Sequence, residues 1–218
     1  MYKYLVISLA VITIAYFSFS DKFSHSIIKE IEISGDFNYL DIKVIENKVE
    51  TLLDKNIYSV SLQDVKSELE MIPWVRRAQV SLIPPENVLV TINEHIPEFL
   101  WNEKTYINRK GDLFKTPTLL NKNVKKISSN DFTHKEMIAL FEKLQSLFFD
   151  HSLTIIGLKK DSDILKIYLD DMTITVRYSK YEKKINDFIN VYPEFRKKFS
   201  SKKKYKIDLR YSTGFAVQ

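Results

Sequence analysis

The stretch Ile72–Trp101 constrains the fold of this chain more than any other. Ala78, Val80 and Leu82 alternate with Arg77, Gln79 and Ser81; after a break, Val88, Val90 and Ile92 alternate with Leu89, Thr91 and Asn93. Period-two alternation puts one set of residues on each side of a strand, so the stretch reads as a β-hairpin with one apolar face. The link Pro84-Pro85-Glu86-Asn87 cannot extend either strand, because proline brings no N–H to a ladder. That apolar face needs a cover, and the residues upstream supply one. Ile28–Ser34 alternates as a strand, with Ile31 and Ile33 on one face, and Gly35 ends it. Asp41 is placed to cap a helix whose stripe runs Ile45, Val49, Leu52, Leu53. Ser61 and Asp64 form a capping-box variant before a second helix, buried through Val65, Leu69 and Ile72 and stopped by Pro73. The expected order is strand, helix, helix, strand, strand, with both helices on one side of a three-stranded sheet.

Beyond Pro97–Trp101 a second region begins. Thr105–Ile107 and Leu113–Phe114 flank Asn108-Arg109-Lys110-Gly111-Asp112, a hairpin signal. Pro117–Asn130 reads as a long polar connection. Thr133 and Glu136 make a capping box, and Met137, Phe141, Leu144 and Phe148 mark the buried face of the helix behind it. Leu153–Leu158, Ile164–Leu169 and Met172–Val176 follow as strands, the last two joined by a tight turn at Asp170-Asp171. A helix over Lys180–Tyr192 buries Ile185, Phe188 and Ile189, and Pro193 closes or kinks it. Tyr205–Val217 is read as one long final strand.

The chain opens on Tyr4–Ser20, an uncharged stretch of about 17 residues that reaches about 26 Å as a helix, the lower limit for a bilayer span. The segment by itself fits an uncleaved anchor or a signal peptide; either sends the rest across a membrane. Composition then excludes several classes. The chain has 218 residues and a formal net charge of +5, with no cysteine, hence no disulfide framework, thiol nucleophile or thiolate metal site. Its four glycines form no phosphate-binding loop. The histidines His25, His95, His134 and His151 share no ligand spacing with a carboxylate, and Asp170-Asp171 reads as turn chemistry rather than an acid/base pair. No cofactor or metal is expected, and no nucleic acid, since the basic run Arg196–Lys206 lacks a recognition pattern around it. That run is expected to be a solvated turn; anionic lipid is the sharper alternative.

The C-terminal strand is the informative oddity. With Tyr211, Phe215 and Val217 on an uncovered edge it would aggregate unless a partner added a strand, and Gly214 invites close backbone approach; the alternative is that the strand pairs wholly inside its own sheet.

These residues carry a resemblance. The anchor followed by strand-helix-helix-strand-strand resembles a POTRA domain, and PWVRRAQVSLIPPENVLVTINEHIPEFLWN, the later YINRKGDLF and the closing KIDLRYSTGFAVQ are similar, in order and spacing, to motifs of the FtsQ/DivIB bacterial cell-division family. The fold implied is α+β: a short cytoplasmic tail (1–3), a transmembrane anchor (4–20), a linker (21–27), a POTRA domain (28–96) and a mixed β-sheet domain with flanking helices (97–218). The resemblance favours the uncleaved anchor. It implies a non-enzymatic divisome scaffold in the inner membrane at the septum, with the bulk of the chain periplasmic or extracellular. FtsB/FtsL-like proteins are the implied partners, held at the last strand. Arg210, Tyr211, Thr213 and Gly214 match that strand, with Phe215 and Val217 beyond them as further candidate contacts, and a proline at Thr213 is expected to abolish capture. On the POTRA side the implied docking residues are Arg76, Arg77, Gln79 and Val80. The rival readings are a POTRA-containing accessory of outer-membrane assembly or transport, which ordinarily carries a barrel or serial repeats, and an anchored hydrolase, for which no nucleophile constellation is present.

Overall fold

A computed structural model describes residues 8, 9, 11–14, 26–117, 124–199 and 204–218. The expected tail, anchor and linker lie largely outside these. Within the anchor stretch the described residues are helical, with Leu9, Val11, Ile12 and Ile14 exposed. Among the described residues no helix is long and apolar enough to cross a membrane. The chain divides into two compact units, Met1–His95 and Ile96–Gln218.

The first unit is built on β1 (Glu30–Ser34), α1 (Ile42–Val49), α2 (Leu62–Glu70), β2 (Val75–Ile83) and β3 (Asn87–Glu94). Its three strands run in the order β1-β3-β2, β1 parallel to β3 and β2 antiparallel to it. Val88, Val90 and Ile92 are at most 2% exposed and pack with Ile45, Val49 and Leu69, so the helices cover the face that the alternation marked as apolar. Burying each such side chain contributes about 1.5–3 kcal/mol. Asp41 caps α1 through the Lys43 N–H and Ser61 caps α2 through the Asp64 N–H, as their positions require. One expected core residue is corrected: Leu53 is exposed, because the chain leaves α1 through a short 3-10 turn, Glu50–Leu52, that turns Leu52 inward instead. Gly35 admits no side chain, since a Cβ there would lie 2.5 Å from the Ile92 carbonyl oxygen.

The second unit holds β4 (Pro97–Trp101), β5 (Thr105–Asn108), β6 (Leu113–Phe114), β7 (Lys125–Ser129), α3 (His134–Phe149), β8 (Ile155–Asp161), β9 (Ile164–Leu169), β10 (Met172–Arg177), α4 (Tyr181–Lys198), β11 (Tyr205–Asp208) and β12 (Ala216–Val217). The described strands form one sheet in the order β12-β11-β10-β9-β8-β7-β4-β5-β6. The core lies where α3 (Met137, Phe141, Leu144, Phe148) and α4 (Ile185, Phe188, Ile189) pack on Ile127, Leu158, Ile167, Ile174 and Ile207. The capping box at Thr133 and Glu136 starts α3. Gln145 then fixes that helix to the sheet, accepting from the Ile155 N–H at 2.8 Å and donating to the Leu153 carbonyl at 2.9 Å.

Two expectations in this unit are corrected. The polar connection over Pro117–Asn130 contains a strand, β7, inserted parallel between β4 and β8. And α4 does not close at Pro193: the proline is exposed, while Tyr192 and Phe195 on either side are buried, so packing carries the helix on to Lys198 despite one missing N–H.

Candidate functional site

The candidate site is the β12 end of the large sheet. β11 runs parallel to β10, and Leu209 closes that pairing by donating its N–H to the Thr175 carbonyl at 2.8 Å. The chain then turns back, and β12 pairs antiparallel with β11, Ile207 opposite Val217 and Asp208 opposite Ala216. Tyr205–Val217 is therefore not one strand, and the outer margin of β11 is already filled by the protein's own residues. Arg210, Tyr211, Thr213 and Gly214 occupy the turn rather than a strand, with Gly214 at φ +67°, where glycine alone pays no steric cost. Phe215 does not face solvent: its ring meets Phe188 edge-on at 5.4 Å and Phe195 at 6.5 Å. Val217 packs on the same core, and Tyr211 is exposed as expected.

What remains free is set by alternation along the strands. Tyr205 and Leu209 aim their N–H groups at β10, whereas Lys206 exchanges both of its backbone bonds with Gln218, at 2.8 and 3.0 Å. On β12, then, Gln218 and Ala216 turn inward to β11, and Val217 presents its N–H and C=O outward, with no backbone partner among the described residues. The same parity aims the backbone of Phe215 outward. An incoming strand has a short template of two outward-facing residues, Phe215 and Val217.

The turn is held by side chains. Arg210 clasps Asp208 with its guanidinium, Nε to Oδ1 at 2.9 Å and Nη2 to Oδ2 at 2.6 Å, and its own N–H donates to Oδ1 at 3.0 Å. Arg210 holds the Asp208 carboxyl below its ordinary value, burial opposing. Sequence reasoning missed Asp208 and Lys184, whose ammonium donates to the Ser212 carbonyl at 3.0 Å; only the Asp-x-Arg spacing hinted at the first.

In the first unit, β2 is an edge strand of its sheet. Arg77 and Gln79 are exposed, Arg76 sits at a bulge and is half-buried, and Val80 leans on the core. The Ala78 N–H points away from β3, donating to the Glu70 carboxylate at 3.1 Å, so the backbone of Val80, two residues on, shares that outward margin. Asp171, raised in the sequence only as a turn residue, is engaged by the Arg196 guanidinium.

Asp208 is one of several carboxyls in the second unit held below their ordinary values. Lys160 lowers Asp131, the Thr133 N–H lowers Glu136, the Ser179 N–H lowers Asp163 and Lys143 lowers Glu182. A depressed carboxyl stabilises the fold above its unfolded pKa, 3.8 for Asp and 4.5 for Glu, and that contribution is lost as pH falls through the lower folded value. The urea midpoint of the second unit is expected to fall through the window that opens below pH 4.5, read from Trp101 in a Trp74→Phe chain. A flat midpoint across that window would contradict these carboxylate pairings.

Residues 26–95 match the FtsQ-type POTRA domain family. The chain is 27% identical over 193 residues to the cell division protein FtsQ of Shewanella oneidensis, covering 87% of this chain and 73% of that protein. It is 25% identical over 194 residues to FtsQ of Xanthomonas campestris pv. campestris, covering 88% and 69%, and 21% identical over 193 residues to FtsQ of Coxiella burnetii, covering 87% and 79%. The chain thus carries a POTRA domain of the FtsQ type and is similar to FtsQ cell division proteins over most of its length.

Proposed function

We propose that the chain is a non-enzymatic divisome scaffold, anchored in the inner membrane by residues 4–20, with its two units on the far side at the division septum. The POTRA unit is docked by other division proteins along the outer margin of β2, around Arg76, Arg77, Gln79 and Val80. The second unit captures an FtsB/FtsL-like partner by strand addition to β12. The observation that carries this reading is the Val217 backbone, whose N–H and C=O face outward at the end of the sheet. Main-chain hydrogen bonds supply register and affinity in such complexes, and neighbouring side chains supply selectivity. Phe215 and Val217 face the core, so selectivity falls to the exposed turn, Tyr211 foremost.

The geometry moves the decisive substitution from Thr213, which lies in the turn, to Val217. Val217→Pro removes a donor that no described residue uses, so the fold is expected to be retained. The one outward hydrogen bond lost with that N–H, worth about 0.5–1.5 kcal/mol, sets the scale, and binding of the FtsB-type protein from the same genome is expected to weaken roughly 2- to 10-fold. Undiminished binding by a folded Val217→Pro chain would overturn the proposal.

A further inference from the structure

Between Leu209 and Ala216 the chain reverses direction without a single backbone–backbone hydrogen bond among its described residues. A turn of that kind has no geometry of its own, and the strand behind it is only two residues long. Its position therefore depends on what grips the turn from outside. The Asp208–Arg210 clasp fixes only the entry to the turn, since both residues lie at its start. Phe215 fixes the exit, through its ring against Phe188 and Phe195. The middle, Tyr211–Thr213, is exposed, and the grip on it is the ammonium of Lys184 at the Ser212 carbonyl, 3.0 Å away and 28 residues earlier in the chain.

Lys184 is well placed for this. It sits in the first turn of α4, one residue before Ile185 and four before Phe188, both of which are at most 1% exposed and anchor the helix in the core. The helix is thus a rigid post, and the lysine stem carries a donor from it to the surface turn. We infer that Lys184 is a positioning residue for the docking strand: by holding Ser212 it presets the path of the turn and presents the outward backbone of Phe215 and Val217 as a formed template. The inference rests on the strand-addition reading above. An incoming strand then meets an edge that is already ordered, and the ordering cost is not charged against binding.

Two readouts on the full chain test this independently. Hydrogen exchange of the C-terminal peptide covering 205–218 reports how firmly β12 is held, and affinity for the FtsB-type protein of the same genome reports the template. In Lys184→Met, which keeps the stem and loses the donor, exchange of that peptide is expected to speed up roughly 3- to 10-fold and affinity to fall by a similar factor, with thermal unfolding unchanged. Lys184→Arg, which keeps a donor, is expected to restore both. Unchanged exchange in Lys184→Met overturns the inference. So does faster exchange with unaltered affinity, and so does a Lys184→Arg chain as loose as Lys184→Met. If the unsubstituted chain fails to bind the FtsB-type protein while exchange responds as stated, the strand-addition reading falls and the tether itself stands.

Discussion

Replacing Glu94 by alanine is expected to remove about 3–5 kcal/mol of stability from the POTRA unit. Glu94 is 8% exposed, at the last position of β3, and its carboxylate accepts three successive backbone N–H groups. These are Asn38 at 2.8 Å, Tyr39 at 3.3 Å and Leu40 at 2.6 Å. Hydrogen bonds to a charged group are worth about 1.5–3 kcal/mol each, so a simple sum would reach well above 5. The sum overshoots, because Asn38 is exposed and Tyr39 half-exposed, and water can satisfy both once the carboxylate is gone. Leu40 is buried, and its N–H would be left without an acceptor. The loop these groups hold carries Tyr39, which stacks on Trp74 at 5.0 Å and 11°. Trp74 is therefore the natural reporter, in a Trp101→Phe chain so that the second unit stays dark. The urea midpoint should drop with little change in slope, and Glu94→Gln, which keeps one acceptor oxygen, should lose only about 1–2 kcal/mol. A loss below about 1 kcal/mol for the alanine variant would show that the carboxylate does not hold this loop.

The sequence does not show what Glu94 does. It continues the alternation of Val88, Val90 and Ile92 onto the buried face, where period-two reasoning asks for an apolar residue and finds a charge. Its partners are main-chain groups more than 50 positions away, which no local pattern encodes. The hairpin that contains it was legible for the opposite reason. Its register is fixed by burial of one face, and a shift by one residue would expose that whole face. The strand β7 was missed because Ile127 is its one buried apolar residue. The remainder of its inward face is completed by Ser129, which is 5% exposed and satisfied by Asp131 and by Asn102. A strand that buries hydrogen-bonded polar groups looks, in one dimension, like a loop.

The C-terminal misreading is more instructive for function. Tyr205, Ile207, Leu209, Tyr211, Thr213, Phe215 and Val217 alternate without interruption, which is what a single strand of that length would show. Side-chain bonds override the pattern. Asp208 captures the Arg210 N–H, a local bond that competes with continuation of the ladder, and Gly214 takes the left-handed conformation that reverses the chain. Tyr205, Ile207, Leu209, Phe215 and Val217 still end on the core side while Tyr211 is exposed, so the alternation reports burial at both ends and misreports the path between them. The candidate residues named from the resemblance thus divide by geometry: Phe215 and Val217 aim backbone outward, and Arg210, Tyr211, Thr213 and Gly214 shape and line the turn before them.

Phe188→Ala is expected to produce the largest effect in the second unit and to separate folding from docking. Phe188 is 1% exposed, and its ring lies 5.9 Å from both Tyr192 and Phe195 and 5.4 Å from Phe215. A buried phenylalanine truncated to alanine costs about 3–5 kcal/mol, from lost transfer energy and the cavity left behind. For a unit of this size that corresponds to a fall in melting temperature of roughly 10–20 °C, which calorimetry of the full chain would read directly. Phe215→Ala supplies the contrast. Phe215 is only half-buried, so its loss should cost about 1–2 kcal/mol, leaving the unit folded at ambient temperature. Yet Phe215 is the sole ring on the β12 side of that cluster among the described residues, and without it the exit of the turn loses its anchor. The Phe215→Ala chain is therefore expected to keep its unfolding transition and lose most of its hold on an FtsB-type partner. Should Phe188→Ala melt within about 3 °C of the unsubstituted chain, the aromatic packing beneath β12 is not what supports it. Should Phe215→Ala bind its partner at full strength, the template does not depend on being docked against α4, and strand addition must draw its order from the partner alone.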